Sequence, residues 1–220
     1  MKPVTLDSWP TTARAAIAVQ QGLRDRVVRR DAFGTVRFVA GLDVGFEQND
    51  TVVRAAVAVL SYPDLRTADQ AVARRPADFP YIPGLLSFRE VPALLDALAR
   101  LGREPDLLLC DGQGLAHPRR FGLACHLGVL TGIPSIGVAK SLLIGEHEPL
   151  PARRGAWRPL KHRNEVIGAA LRTRDNVAPV YVSIGHRVCL ETAMHFVLAC
   201  APRYRLPEPA RAAHRLASGP

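Results

Sequence analysis

Leu107-Leu108-Leu109-Cys110-Asp111-Gly112-Gln113-Gly114, followed after a helical stretch by Ser135-Ile136-Gly137-Val138-Ala139-Lys140, decides the fold of this chain. Leu107 to Cys110 is a short, uninterrupted apolar run, the pattern of a strand buried on both faces and so of a parallel one. Pro118 to Thr131 reads as a helix, with Pro118 near its first turn and Gly132 at its end. Ser135 to Ala139 is a second short buried strand. Together they make one βαβ unit, which disfavours a purely antiparallel sandwich.

Upstream, Ala16, Val19, Leu23 and Val27 recur at helical spacing, so Thr12 to Arg30 is predicted to be a helix capped by Thr11 or Thr12. Val36–Val44 and Val52–Ser61 are strand signals. Glu47-Gln48-Asn49-Asp50 between them is turn chemistry, which predicts a hairpin. Asp69 to Arg74 is a weaker third strand. Phe79-Pro80-Tyr81-Ile82-Pro83-Gly84 is a loop, because two prolines and a glycine oppose regular structure. Pro92 to Leu101 is a helix, burying Leu94, Leu95 and Leu98 and ending at Gly102.

Downstream, Ser141 to Arg163 reads as irregular and basic, carrying Arg153, Arg154, Arg158, Lys161 and Arg163. Strands are expected at Val166–Leu171 and Val180–Ile184, and helices at Val188–Cys200 and Ala210–Ala217, the last containing His214. No repeat, linker or low-complexity segment interrupts the chain. The reading is a mixed α/β domain in one piece, residues 1–220, with an N-terminal helix over about 12–30 and a core over about 36–217.

The 220 residues are 48% hydrophobic, enough for one substantial core, and carry a formal net charge of +9. Such a balance fits a phosphate-rich partner, although a solubilising surface would give the same number. The arginines are spread along the chain rather than gathered in a tail. Cys110, Cys125, Cys189 and Cys200 form no C-x-x-C pair and sit in apolar runs, which argues against zinc and for a reducing compartment. Met1 to Pro10 has no apolar leader region, and no stretch reaches the length of a membrane span, so a cytoplasmic protein is expected.

The residues that carry chemistry are acids placed where acids are costly. Asp43 ends the apolar strand Phe38-Val39-Ala40-Gly41-Leu42, and Asp111 follows Leu107–Cys110. Ligands of open α/β sheets bind just beyond the carboxyl ends of strands. A desolvated carboxylate there needs a partner, and a cation is the commonest one. Each aspartate alone could instead end a local turn. Ser87-Phe88-Arg89-Glu90 fits a helix capping box, which would make Glu90 structural. Pro92 argues against it: it suits the first helical position, leaving Glu90 just before the helix and free to point elsewhere. Two acids on neighbouring strands and a third near a helix start suit magnesium, which prefers oxygen ligands and shares them with substrate phosphate.

At these residues the chain resembles the endonuclease V family. The resemblance runs from about Val36 to Ala217. It is carried by Gly41-Leu42-Asp43-Val44, Pro80-Tyr81-Ile82-Pro83-Gly84, Phe88-Arg89-Glu90, Asp111-Gly112-Gln113-Gly114-Leu115-Ala116-His117-Pro118, Gly137-Val138-Ala139-Lys140-Ser141 and Ala213-His214. It implies a ribonuclease H-like fold and hydrolysis of the second phosphodiester bond 3′ to deoxyinosine in DNA. The products carry 3′-hydroxyl and 5′-phosphate ends, and the lesion stays in the nicked strand. Asp43, Glu90 and Asp111 are implied to hold Mg2+, with Mn2+ as a substitute. Lys140 is implied to face the reacting phosphate, and His214 to be the active-site histidine. Tyr81, within Pro80, Ile82 and Pro83, is implied to be the wedge that enters the duplex.

Each role makes physical sense. A rigid ring fills the gap left by a flipped base. Gly84, Gly112 and Gly114 would let backbone approach that base closely, though each could equally serve ordinary turn geometry. A lysine after a strand is a point charge suited to phosphate. Arg153–Arg163 is a candidate phosphate-contacting loop. The partner expected is inosine-containing DNA, with inosine-containing RNA as an alternative, and the protein is expected to be a monomer. The rival readings are a junction resolvase or inosine-specific ribonuclease of the same fold, and a non-catalytic module that binds damaged bases.

Overall fold

The computed structural model describes residues 8–219, so part of the leader reading at Met1–Pro10 lies outside the described residues. Helix α1 (Ala13–Arg24) opens on Thr12, whose side chain accepts from the Ala15 N–H at 3.3 Å. The predicted helix continued to Arg30, but the chain turns out at Arg24 because tertiary partners take its backbone. The Val28 N–H donates to His186 Nδ1, and the Val28 carbonyl accepts from the Arg187 N–H.

Strands β1 (Phe38–Glu47) and β2 (Val52–Ser61) form the expected antiparallel hairpin, joined by left-handed residues Gln48, Asn49 and Asp50. Strand β3 (Thr67–Pro76) follows as a third antiparallel partner. Helix α2 (Ser87–Leu98) begins five residues earlier than predicted and takes Pro92 into its interior. An interior proline costs roughly 3 kcal/mol. Burial of Phe88, Val91 and Leu94 outweighs that at about 1.5–3 kcal/mol for each side chain. Leu86 is the N-cap and no side chain caps the helix, so the capping box is absent as well.

Strand β4 (Leu107–Cys110) and strand β5 (Ser135–Ala139) are parallel neighbours joined through helix α3 (Leu123–Thr131), which gives the predicted βαβ unit. The helix starts later than Pro118. The Gly122 and Ala124 N–H groups donate to the Gly114 and Gln113 carbonyls, so the glycine-rich loop itself caps α3. Strand β6 (Trp157–His162) lies in the segment read as irregular. It is the sheet's outer strand, contains Pro159 and fully buries only Leu160, which hid it from period-two patterning. Strands β7 (Glu165–Leu171) and β8 (Val180–His186), then helices α4 (Leu190–Ala199) and α5 (Glu208–Ala217), fall close to expectation.

The eight strands run in the order β3-β2-β1-β4-β5-β8-β7-β6. The parallel pairs β1/β4 and β4/β5 stand at the centre, with antiparallel wings on both sides. One face of the sheet, through Ala40, Leu42, Leu108 and Cys110, packs on α2 and α3. The other, through Val39, Leu107 and Leu109, packs on α4, and Ala58 and Leu60 beside it pack on Ala213 of α5. This mixed α/β sheet flanked by helices is the fold class expected.

Candidate active site

The β1 sequence Gly41-Leu42-Asp43-Val44-Gly45 sets the geometry at Asp43. Residues 41, 43 and 45 share a face of the strand. A Cβ on Gly41 would lie 2.0 Å from backbone atoms of Pro209, and one on Gly45 would lie 2.3 Å from the Ala217 carbonyl oxygen. Helix α5 therefore rests on the bare strand at two points. The eight helical steps from Pro209 to Ala217 cover about 12 Å. The four strand steps from Gly41 to Gly45 cover about 13 Å. Lengths so matched put His214 over Asp43, and His214 Nδ1 lies 2.6 Å from Asp43 Oδ2. Asp43 Oδ1 accepts from its neighbour's N–H on Val44 at 2.8 Å. Each carboxylate oxygen thus has one bonded lone pair and one remaining.

The strand expected to end at Asp43 runs on to Glu47 because it stays paired with β2, so Asp43 stands within β1. The register Leu42↔Cys110 sets it beside Asp111, which follows the end of β4 and whose N–H donates to the Leu42 carbonyl at 3.1 Å. Lys140, immediately after β5, reaches Asp111 Oδ2 with Nζ at 2.5 Å. Glu90 comes from α2, in the opposite helix layer. Its neighbour Phe88 packs among Trp9, Phe79 and His126, and Arg89 stacks 4.4 Å over the Phe46 ring. Contrary to the expectation from Pro92, Glu90 lies inside the helix, in its first turn, and still lines the cleft beside Asp111.

Electrostatics join the three acids. Desolvation, then the charges of Asp43 and Asp111, push the Glu90 carboxyl up to about 8, and Arg89 opposes this only in part. Asp111 is also raised, by burial and by Asp43, against the pull of Lys140. Like charges gathered in a shielded place favour a proton or a cation between them.

A cavity of about 360 Å³ opens beside Glu90 and Asp111, at the lower end of small-molecule sites, roughly 300–1,000 Å³. Glu90, Asp111, Lys140, Tyr81, Pro83, Gly84 and Gly112 all line it. Tyr81 is 67% exposed, so it is not an aromatic packed beneath its loop, whereas Ile82 turns inward toward Phe79, Leu85 and Phe88. Gly114 is not on the cavity wall. It is buried, a Cβ there would lie 2.0 Å from the Ile184 carbonyl oxygen, and its N–H donates to Ser183 Oγ. It packs the loop closely on β8.

Sequence reasoning passed over other wall residues. Leu142 and Leu143 expose apolar side chains beside Lys140, and Gln113 donates from Nε2 to the Ser141 carbonyl. Their signal, an apolar pair straight after a functional strand end, was present but unspecific. In the basic segment, Arg154 is spent internally on the carbonyls of Thr173 and Leu198.

Among the described residues, no three His, Cys, Asp or Glu side chains stand at the spacing of an assembled metal shell. The donors nonetheless fit a hard divalent cation: three carboxylates, mutually repelling, with lone pairs left on Asp43. Lys140 and His214 now hold two of them.

Acids side by side on adjacent central strands, one within β1 and one just past β4, a third from a flanking helix, and this strand order define a nuclease of the ribonuclease H-like class. The comparisons narrow the class. The family model described as Endonuclease V matches residues 21–215. Endonuclease V of Roseiflexus castenholzii is 60% identical over 218 residues, covering 99% of this chain and 97% of that protein. The crystal structure of Endonuclease V from Streptomyces avermitilis superposes with a TM-score of 0.92 at 45% identity, covering 99% of this chain and 96% of that one. Ciona intestinalis Endonuclease V, in complex with a 23mer DNA containing an inosine followed by a ribo-adenosine, gives a TM-score of 0.81 at 30% identity, over 93% of this chain and 95% of that one. The chain belongs to the endonuclease V family.

Proposed function

We propose that this chain is a DNA-repair endonuclease that hydrolyses the second phosphodiester bond 3′ to deoxyinosine, leaving the altered base in the nicked strand. The observation that carries the reading is that Glu90 and Asp111 line a cavity rimmed by an exposed tyrosine while the charge of Asp43 acts on both of them. The inosine-containing DNA bound by the Ciona intestinalis relative supports the choice of substrate.

Asp43, Asp111 and Glu90 would hold Mg2+, or Mn2+ in its place. When bound, the cation activates water and stabilises the departing oxygen. The protein's own groups do the rest. Asp43 accepts the Nδ1 proton of His214, which orients the ring and leaves Nε2 as a proton acceptor for a water at the strand ends. Lys140 presents a point charge to the scissile phosphate. Tyr81 fills the gap left by the extruded base, which enters the cavity past Gly84 and Gly112. The +9 charge draws the polyanion in and makes binding fall with salt.

No helix among the described residues is long and apolar enough to cross a membrane. A cytoplasmic monomer of one domain is the accompanying reading, which sedimentation velocity checks. The deciding experiment is strand cleavage of inosine-containing duplex DNA with and without Mg2+, run beside inosine RNA and a four-way junction. Cutting of the inosine duplex alone, abolished by Asp43→Ala, is expected. Preference for RNA or the junction, or metal-dependent cutting that survives Asp43→Ala, overturns the assignment.

A further inference from the structure

The turn that carries Tyr81 is held at a single carbonyl oxygen. Ile82-Pro83-Gly84-Leu85 forms a tight turn in which the Leu85 N–H donates to the Ile82 carbonyl at 2.9 Å. Gly84 takes φ of +78°, and Pro83 precedes it, the signature of a type II turn. A Cβ on Gly84 would be strained at that φ and would stand 2.9 Å from Arg119 Nη2.

Three side chains from distant elements converge on the Gly84 carbonyl. Gln20 Nε2 donates to it at 3.1 Å, Arg119 Nη2 at 2.6 Å and His117 Nε2 at 3.0 Å. The donors are also fixed among themselves. Arg119 Nε donates to Gln20 Oε1 at 2.5 Å, and the second Gln20 Nε2 bond goes to the Phe121 carbonyl at 3.1 Å. His117 Nδ1 accepts from the Arg119 N–H at 3.2 Å, so its Nε2 is the protonated nitrogen. Gln20 is 1% exposed and occupies the buried stripe of α1 between Ala16 and Leu23, where packing alone would favour an apolar side chain. Every polar atom of its amide is used on this network.

Such an investment is out of proportion for an ordinary surface turn. The residue that leads into the turn, Tyr81, carries a large ring that projects into solvent. A ring that must enter a stacked duplex works only if its base does not yield, since displacement of about 1 Å sharply lowers a rate. Resting on the proposed function, we infer that Gln20, Arg119 and His117 are positioning residues that lock the Gly84 turn and so hold Tyr81 at the angle needed to enter duplex DNA. Single-stranded substrate, which has no stack to invade, makes no such demand.

The test compares wild type, Tyr81→Ala, Gln20→Leu, Arg119→Lys and the two doubles with Tyr81→Ala. Each is assayed in single-turnover cleavage of inosine-containing double- and single-stranded oligonucleotides with Mg2+. Gln20→Leu and Arg119→Lys are expected to lower duplex cleavage about tenfold or more, to leave single-stranded cleavage within about twofold, and to add no further loss once Tyr81 is alanine. Equal loss on both substrates, full additional loss in the doubles, or no loss overturns the inference. Hydrogen exchange of the peptide spanning residues 79–88, in protein alone, gives a readout independent of activity. Exchange must quicken in Arg119→Lys, the variant least liable to misfold, and unchanged exchange also sinks the idea. A wild type that cuts neither inosine strand defeats the substrate reading instead, and the exchange result still decides the lock.

Discussion

Gly41→Ala places one methyl group where α5 meets β1. The new Cβ would lie 2.0 Å from the Pro209 carbonyl carbon and oxygen and 2.5 Å from the Ala210 nitrogen, all backbone atoms that cannot rotate away. Ordinary carbon contacts begin near 3.5–4.0 Å, so the start of α5 must retreat by about 1.5 Å. The His214–Asp43 bond of 2.6 Å sits one helical turn further on and would open past hydrogen-bonding reach. Overpacking of this kind costs about 1–3 kcal/mol. At about 2–4 °C per kcal/mol for a chain of this size, Tm should fall by about 2–12 °C with the fold retained. Cleavage should fall much further, about a hundredfold, because a group displaced by about 1 Å loses most of its catalytic value. Calorimetry and single-turnover cleavage of an inosine duplex read the two effects. Gly22→Ala is the control, since nothing lies within 4 Å of a Cβ there and alanine suits a helix. Wild-type Tm and rate in Gly41→Ala would refute the claim that bare strand backbone sets the position of His214.

Glu90 makes metal-free stability depend on pH. Its folded carboxyl is raised from 4.5 to about 8, so the folded state binds the extra proton and stability falls as pH rises through that window. Thermal melts of metal-free protein should show this decline, Glu90→Gln should flatten it, and an unchanged slope in that variant would disprove the assignment. Mg2+ or Mn2+ should reverse the decline and bind more tightly toward pH 8, by calorimetry on the protein alone, as the cation replaces the proton. Lys140→Met should slow cleavage and also lower the Tm of metal-free protein, since it leaves the largely buried Asp111 carboxylate without its counterion; full activity in that variant would reverse the assignment. Tyr81→Ala, at a 67% exposed site, should shift stability by no more than about 0.5 kcal/mol in a denaturant titration.

What the sequence disclosed and what it hid divide along one physical line. Strands β4 and β5 were legible because both their faces are buried, and the chemistry then shows as a lone acid or lysine after an apolar run. Asp43, Asp111 and Lys140 were found that way. The helix boundaries were not, because partners from elsewhere set them. Val28 and Arg187 end α1, the carbonyls of Gln113 and Gly114 start α3, and burial of Phe88 and Val91 overrides Pro92 in α2. Strand β6 escaped because a solvent-facing strand with a proline lacks alternation. The packing of Gly114 on β8 was not legible, because turn, packing and ligand glycines share one letter and the Ile184 carbonyl 2.0 Å from its Cβ position shows only in the fold. Gln20 gave no local sign at all; its partner lies 64 residues away.

The site also explains why the hairpin needs its register. Moving β1 by one residue against β4 would turn Asp43 to the other face, among Leu108 and Cys110, where α2 and α3 close off water. The same slip would drive Leu42 and Phe46, or in the other direction Ala40 and Val44, against α5, at the two places where only glycine fits. Apolar packing on one side and glycine contacts on the other therefore select one alignment, and in that alignment the acids repel. The folded protein holds the repelling carboxylates together through core interactions remote from them, with Lys140 as counterion to Asp111 and His214 as hydrogen-bond donor to Asp43. A divalent cation bound between the acids relieves that repulsion, so cation binding should stabilise the fold and prepare the site in one step.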